Sequence, residues 1–454
     1  MKRPGARPAR PWRHVVALAV VALVAAACSG ADPEPQPQGG GDGGDIGSLG
    51  DVTLIVWDQE VRGGQNQQIE QLNAEFMEQY PNVTIERVAK SFDDLFNTVK
   101  LAVSGPNPPD VVQANQGRSI MGELVKAGLL QPLDDYAEQY GWGDRYSEGL
   151  LQLNSFTPDG QTFGEGSLYG LSQVGEIVGV FYNRQKLSGL GLEIPATFAE
   201  FEAALAAAKE AGEVPIQFGN LDAWPGIHEF QAVQNPASDK DALRAFLFGR
   251  EEASFDTPEN LAAATRLQEW TDAGYFTPDF GGIGYDDAWA SFAGGEGVFL
   301  ITGTWLNPDL ADAMGDDLGF FLVPSESGEP PIALGGEGLP FAMTANSEHP
   351  QVAAAYLDHI TSPHAMEVIV ETGGLPAVAL PDPDVPAGTS LADIFAAWDQ
   401  LNSTDGIVSY LDYATPTMYD TFSASVQELM AKRVTPDEFV GRVQTDFEEF
   451  LGGS

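Results

Sequence analysis

The side chains that could break bonds form no recognisable reacting set. The chain carries 66 acidic residues, a number that guarantees close carboxylate pairs by itself, so a general acid and base cannot be inferred from counting. No G-x-S-x-G elbow, H-E-x-x-H zinc helix or P-loop occurs. His359 and His364 lie out of helical phase for a shared metal, and they, His228 and His349 are expected at the surface or at helix ends. Gly39, Gly41 and Gly44 fit a G-x-G-x-x-G pattern, but no strand precedes them and no helix follows, so they read as linker composition. No catalytic residue, cofactor or metal is therefore expected. Non-covalent chemistry remains. Trp57 with Gln59 and Glu60, then Asn115 and Gln116, then Asn220, Asp222 and Trp224, each follow a short apolar run. Flat aromatic faces beside amides and carboxylates suit the gripping of a polar ligand.

Elements that would position these groups alternate along the chain. Val52 to Trp57 is a continuous apolar run of the kind a buried parallel strand needs. A helix with Ile69, Leu72, Phe76 and Tyr80 on one face follows and stops at Pro81. Val83 to Val88 reads as a second strand, Ser91 as the N-cap of a second helix, and Pro108 to Val112 as the turn into a third strand. Strand, helix, strand, helix, strand implies an α/β unit with a parallel sheet. The alternation restarts after about residue 170. It gives a helix over Pro195 to Ala211, a strand over Val214 to Phe218, a helix over Leu261 to Ala273 and a strand over Gly297 to Thr302. Phe341 to Thr344 is a further strand, and helices predominate from Pro350 onward. Trp57 thus ends its strand, and Asn115 and Trp224 fall past the ends of theirs, where an α/β sheet opens toward its crevice.

The one cysteine, Cys28, closes a separate N-terminal pattern. Lys2, Arg3, Arg7, Arg10 and Arg13 precede the apolar run Val15 to Val24, which is too short for a permanent span, and Ala25-Ala26-Ala27 follow. Residues 1–27 read as a signal peptide. The ending resembles a bacterial lipobox with Ala25 where Leu is usual, so lipidation is expected at Cys28. Residues 28–50, rich in Gly, Pro, Gln and Asp, are expected to be a disordered spacer. With 43% hydrophobic residues, the remainder is a folded body, long enough for two cores. A formal charge of −44 repels nucleic acid and anionic headgroups. Membrane contact is then expected through the lipid alone.

The order of several stretches resembles the extracellular solute-binding proteins of ABC importers, in the family that includes maltose-binding protein. The stretches are Val52 to Trp57 with its Asn/Gln-rich turn, Gly105 to Val112 (GPNPPDVV) leading to Lys126–Asp134, Leu168 to Asn183 (LYGLSQVGEIVGVFYN), Phe292 to Trp305 (FAGGEGVFLITGTW) and Gly335 to Leu339 (GGEGL). The resemblance covers the body from about Val52 to Leu451. It implies the two-lobed α/β fold of type II periplasmic binding proteins, with a ligand cleft between the lobes. It places lobe one at 51–174 plus 303–350 and lobe two at 175–302 plus 351–454, with crossings near Gly175–Val178, Thr302–Gly303 and Pro350–Tyr356.

It also implies a site. Trp305 matches the sugar-stacking Trp of the family's Gly-x-Trp turn, and Asp412, within Tyr410-Leu-Asp-Tyr413, matches a ligand-contacting C-terminal segment. Gln173 and Glu176 flank the first crossing, and Gly335 and Gly336 would let backbone N–H groups approach the ligand. With Trp57, Gln59, Asn115, Gln116, Asn220, Asp222 and Trp224 these make the candidate set. The implied function is capture of a mono- or oligosaccharide by a monomer and its delivery to the membrane permease of an importer. A polyamine or peptide ligand is the alternative, and a tethered glycoside hydrolase a minor one.

Overall fold

The computed structural model describes residues 46–453, and the expectations for Cys28, the signal peptide and most of the spacer lie outside them. The end of the spacer is ordered, contrary to expectation. Ile46 is buried in the first core, and the Asn82 side-chain amide donates to the carbonyls of Ile46, Leu49 and Gly50. One apolar residue and a fixed donor are enough to dock a stretch that composition alone reads as unfolded.

The first sheet forms as the alternation predicts. Strands β1 (Val52–Asp58), β2 (Val83–Ala89) and β3 (Val111–Gln113) are parallel, and Leu54 and Val56 are fully buried. Between them run helices α1 (Gly63–Gln79) and α2 (Phe92–Val103), the latter capped by Ser91 Oγ, which accepts from Asp94 N at 3.2 Å. Helices Pro350–Ile360 and Pro363–Glu371 cover this core, and the Tyr356 hydroxyl donates to Asn73 Oδ1 at 2.7 Å beneath the Phe76 ring.

After a short hairpin, β4 (Ser155–Phe156) with β5 (Ser167–Leu168), the second sheet is built on β6 (Gly175–Asn183), buried over its whole length. Around it pair β7 (Phe299–Gly303), β8 (Leu318–Phe321) and β9 (Ala333–Glu337), all antiparallel to it. Then β10 (Phe341–Met343) adds antiparallel to β3 at the edge of the first sheet, and β11 (Ile407–Val408) joins β9. Helix Phe198–Glu210 begins with a capping box between Thr197 and Glu200. The segment Val214–Phe218 is not a full strand. It lies beside β7 but bridges only at Ile216, because Pro215 has no N–H to donate.

Three crossings join the sheets, side by side. Residues 171–175 precede β6, 337–341 link β9 to β10, and 373–377 leave the helix Pro363–Glu371. Leu171 bridges Phe341, Val174 bridges Pro376, and Gly175 N donates to Leu375 O at 2.8 Å. The first lies close to the expected position. The other two do not: Thr302–Gly303 is the inner end of β7, and Pro350–Tyr356 is a helix buried in the first core. The lobe boundaries shift accordingly. β8 and β9, expected in lobe one, belong to the second sheet, whereas helices 350–371, expected in lobe two, pack on the first. Apolar alternation marks a strand but does not say which sheet it joins.

Candidate cleft between the sheets

The end of β1 presents the first polar groups. Glu60 is 2% exposed and held from two directions. Its backbone N donates to Asp58 Oδ1 at 2.9 Å, and Gln113 Nε2, one strand over, donates to its Oε1 at 2.6 Å. Gln113 also accepts from Gln59 N at 2.7 Å. Behind this loop Arg87 makes a bidentate pair with Asp58, at 2.7 Å on both bonds, so its charge is used away from the cleft.

From the second sheet comes an aromatic wall. Ala223 adopts φ 66°, a left-handed turn that sets Trp224 just before the helix Pro225–Gln234. His228 follows one helical turn later, its ring 5.4 Å from Trp224, 5.5 Å from Trp305 and 6.1 Å from Tyr410. The Trp305 indole folds back over Gly303, where a Cβ would come within 1.8 Å of the ring; no other residue fits there. Trp305 Nε1 donates to the Tyr285 hydroxyl at 2.7 Å, and that hydroxyl bonds Thr302 Oγ1, also at 2.7 Å.

Crossing strand β6 supplies Glu176, whose Oε1 accepts from the Tyr410 hydroxyl at 2.6 Å. Asp412 sits on the 3-10 turn Leu411–Tyr413, 3% exposed, with Oδ1 lacking a partner among the described residues. Together these groups surround a cavity whose empty space, about 750 Å³, includes the open solvent at its mouth. Its lining comes from both sheets and from the crossings, including Gln59, Asn115, Glu176, Trp224, Trp305 and Asp412.

Burial dominates the electrostatics. It pushes the Glu60 carboxyl up to about 7 and Asp412 up to about 7. It pushes Glu176 up to about 8, with the Glu60 charge adding and the Tyr410 bond opposing. The same burial drives the His228 imidazole down to about 3, so the ring is neutral at physiological pH.

Of the candidate residues, Gln59, Asn115, Glu176, Trp224, Trp305 and Asp412 line the cavity. The others do not. Trp57 is half-buried outside it, with Lys90 Nζ 4.6 Å from its ring centroid. Gln116 spends its amide on the carbonyls of Glu337 and Gly338. Gln173 is buried within the first crossing. Asn220 accepts from Gly226 N at 3.0 Å and Asp222 from Tyr285 N at 2.7 Å, so both shape the turn that carries Trp224. Gly335 and Gly336 are paired strand residues facing a separate hollow beside Leu153 and Ser409. A Cβ on Gly335 would lie 2.4 Å from Glu176 O, so its smallness serves strand packing.

Sequence reasoning missed Arg62, Gln65, Phe92, Tyr419 and above all His228, which is 3% exposed and not at the surface. The one available signal was its place four residues after Trp224 on a helix.

The family model described as bacterial extracellular solute-binding protein matches residues 63–367. A multiple sugar-binding protein of Streptococcus mutans is 22% identical over 304 residues, 65% of this chain and 72% of that protein. A maltotriose-binding protein of Pyrococcus abyssi is 26% identical over 286 residues, 61% of this chain and 54% of its own. Among solved structures, a chitin oligosaccharide binding protein superposes with a TM-score of 0.77 at 22% identity, covering 88% of this chain and 98% of that one.

Proposed function

Because the chain belongs to the bacterial extracellular solute-binding protein family, we propose that its cleft captures a carbohydrate and presents it to the membrane permease of an importer. One observation carries the reading. Trp224, Trp305 and Tyr410 stand beside Glu60, Glu176, Asp412 and Asn115 around a single cavity. A sugar ring offers flat C–H faces to aromatic plates and pairs of hydroxyls to carboxyls and amides. The relatives named for sugars support the same class.

The mechanism is a population shift. Gln59, Glu60 and Asn115 belong to the first lobe, and Trp224, His228 and Trp305 to the second. Ligand that touches both favours the closed arrangement by its differential affinity for it. The three side-by-side crossings are where rotation would be absorbed. Closure is also supported at the rim by contacts that line or adjoin the cavity. Arg62 Nη2 pairs with Asp286 at 3.1 Å, and the Phe96 and Tyr419 rings lie 4.3 Å apart.

Lipid attachment at Cys28 would hold the body near the permease, and the chain would act as a monomer without catalysis. No helix among the described residues is long and apolar enough to cross a membrane. A thermal-shift screen of the full-length protein against mono- and oligosaccharides, polyamines, amino acids and short peptides tests the class. Ligand at 100 times its dissociation constant adds about 2.7 kcal/mol. A stabilising sugar supports the reading. Stabilisation by polyamines or peptides alone contradicts it.

A further inference from the structure

The cavity holds three carboxyls and almost no positive charge to balance them. Glu60, Glu176 and Asp412 are 2%, 8% and 3% exposed, and all three line it. Among the described lining residues Arg62 alone is a permanent cation. Its Nε and Nη2 both donate to Asp286 Oδ1, at 3.2 and 3.1 Å, and its guanidinium lies 5.3 Å from the Tyr285 ring centroid. Arg87 is committed to Asp58 and Glu70 behind the β1 loop. Lys90 rests on Trp57, outside the cavity. His228 is neutral.

A buried carboxyl group has two stable states, protonated or paired with a cation, because an unpaired charge in an apolar site is costly. Glu176 already accepts a hydrogen bond from the Tyr410 hydroxyl, and Glu60 accepts one from Gln113, so each keeps limited room for a neutral donor. Asp412 Oδ1 accepts from nothing among the described residues. Around the same cavity stand Trp224, Trp305, Tyr413 and Tyr419, whose ring faces attract a cation more strongly once water is excluded. Trp224 Nε1 and His228 Nδ1 are also buried without a hydrogen-bond partner among the described residues. A ligand with both hydroxyls and one positive charge matches this mix of carboxyls, ring faces and polar atoms.

We propose that the captured saccharide carries a basic nitrogen, an amino sugar unit whose ammonium sits among Glu60, Glu176 and Asp412 and against the aromatic wall. This rests on the carbohydrate reading and narrows it to one substrate class. Binding the ammonium favours the charged form of a carboxyl that is protonated in the free cleft, so capture releases a proton from the protein.

The experiment uses saccharides that differ at one position: hydroxyl, N-acetyl and free-amine forms of glucose, galactose and mannose, as mono- to trisaccharides. Spermidine is the non-sugar cation. Each is titrated calorimetrically into full-length protein at pH 7 in two buffers of different ionisation enthalpy. The expected result is at least tenfold tighter binding of an amine form than of its hydroxyl and N-acetyl counterparts, with a proton released to buffer. Glu176→Gln and Asp412→Asn should each cut that preference. Should either variant fail to fold, the proton count on the wild-type protein still decides. Equal or tighter binding of the neutral forms overturns the inference and leaves the carbohydrate reading standing. Binding of spermidine with no saccharide of any form overturns both, as does silence from the whole panel.

Discussion

Trp305 and Tyr285 are joined by a hydrogen bond of 2.7 Å from the indole nitrogen to the phenol oxygen, and only Trp305 lines the cavity. Tyr285 therefore acts on the cleft through the ring it holds. Tyr285→Phe removes two buried bonds, the one that orients Trp305, worth about 1 kcal/mol, and the one to Thr302 Oγ1. Sugar affinity should fall roughly fivefold, given about 1.4 kcal/mol per tenfold. Calorimetry would show it, and an unchanged dissociation constant would mean that the indole plane is set by packing alone.

Gly303→Ala tests the same plane from below. The added methyl would overlap the Trp305 ring, so the indole must swing away from His228. Overpacking of this kind costs about 1–3 kcal/mol. Affinity should drop by more than for Tyr285→Phe, with a lower melting temperature, and retention of both values would place the ring elsewhere.

The buried titratable groups give stability a pH dependence of definite sign. Glu60, Glu176 and Asp412 have folded values of about 7, 8 and 7, above their ordinary ones, so the folded state binds more protons than the unfolded between about pH 4 and 8. Their contribution is full below pH 4 and is lost as pH rises through 7 to 8. His228, held at about 3, works oppositely: its contribution is full above pH 6.5 and is lost on acidification toward 3. The ligand-free melting temperature should accordingly be higher near pH 5.5 than at pH 8.5. Glu176→Gln should flatten the alkaline side. A melting temperature that rises steadily to pH 8.5 contradicts this assignment.

At the cavity rim, Tyr419 of the second lobe packs on Phe96 of the first at 4.3 Å and on Phe92 at 6.4 Å. These aromatic pairs are worth about 0.5–1.5 kcal/mol each and would be lost on separation of the lobes. Tyr419→Ala should speed ligand release about tenfold, as read by stopped-flow fluorescence. An unchanged release rate would show that this rim does not limit opening.

Much of the first lobe was legible because its strands are continuous apolar runs separated by helices of clear period. Trp224 could be named as an aromatic residue close after an apolar run, and Asp412 from the resemblance of its segment; both line the cavity. The crossings were not legible beyond the first. Gly335 and Gly336 suggest a close backbone approach to ligand, yet Gly335 is a strand residue whose neighbouring backbone leaves no room for a Cβ. His228 was missed for a different reason. Its helix is buried on every side, so no polar face betrays which residue turns toward the cavity. Asn220 and Asp222 were read as ligand groups because type and position look alike whether a side chain meets solute or caps a turn.

The most direct test of the central claim is calorimetric titration of the best saccharide from the screen into wild-type protein and Trp305→Ala, with circular dichroism to verify that the variant folds. The account predicts one site in the wild type and at least thirtyfold weaker binding in the folded variant, as expected for an aromatic anchor worth about 2 kcal/mol or more. Equal affinity in both proteins would mean that the sugar does not lie on this wall, and the assignment of the cleft would fall.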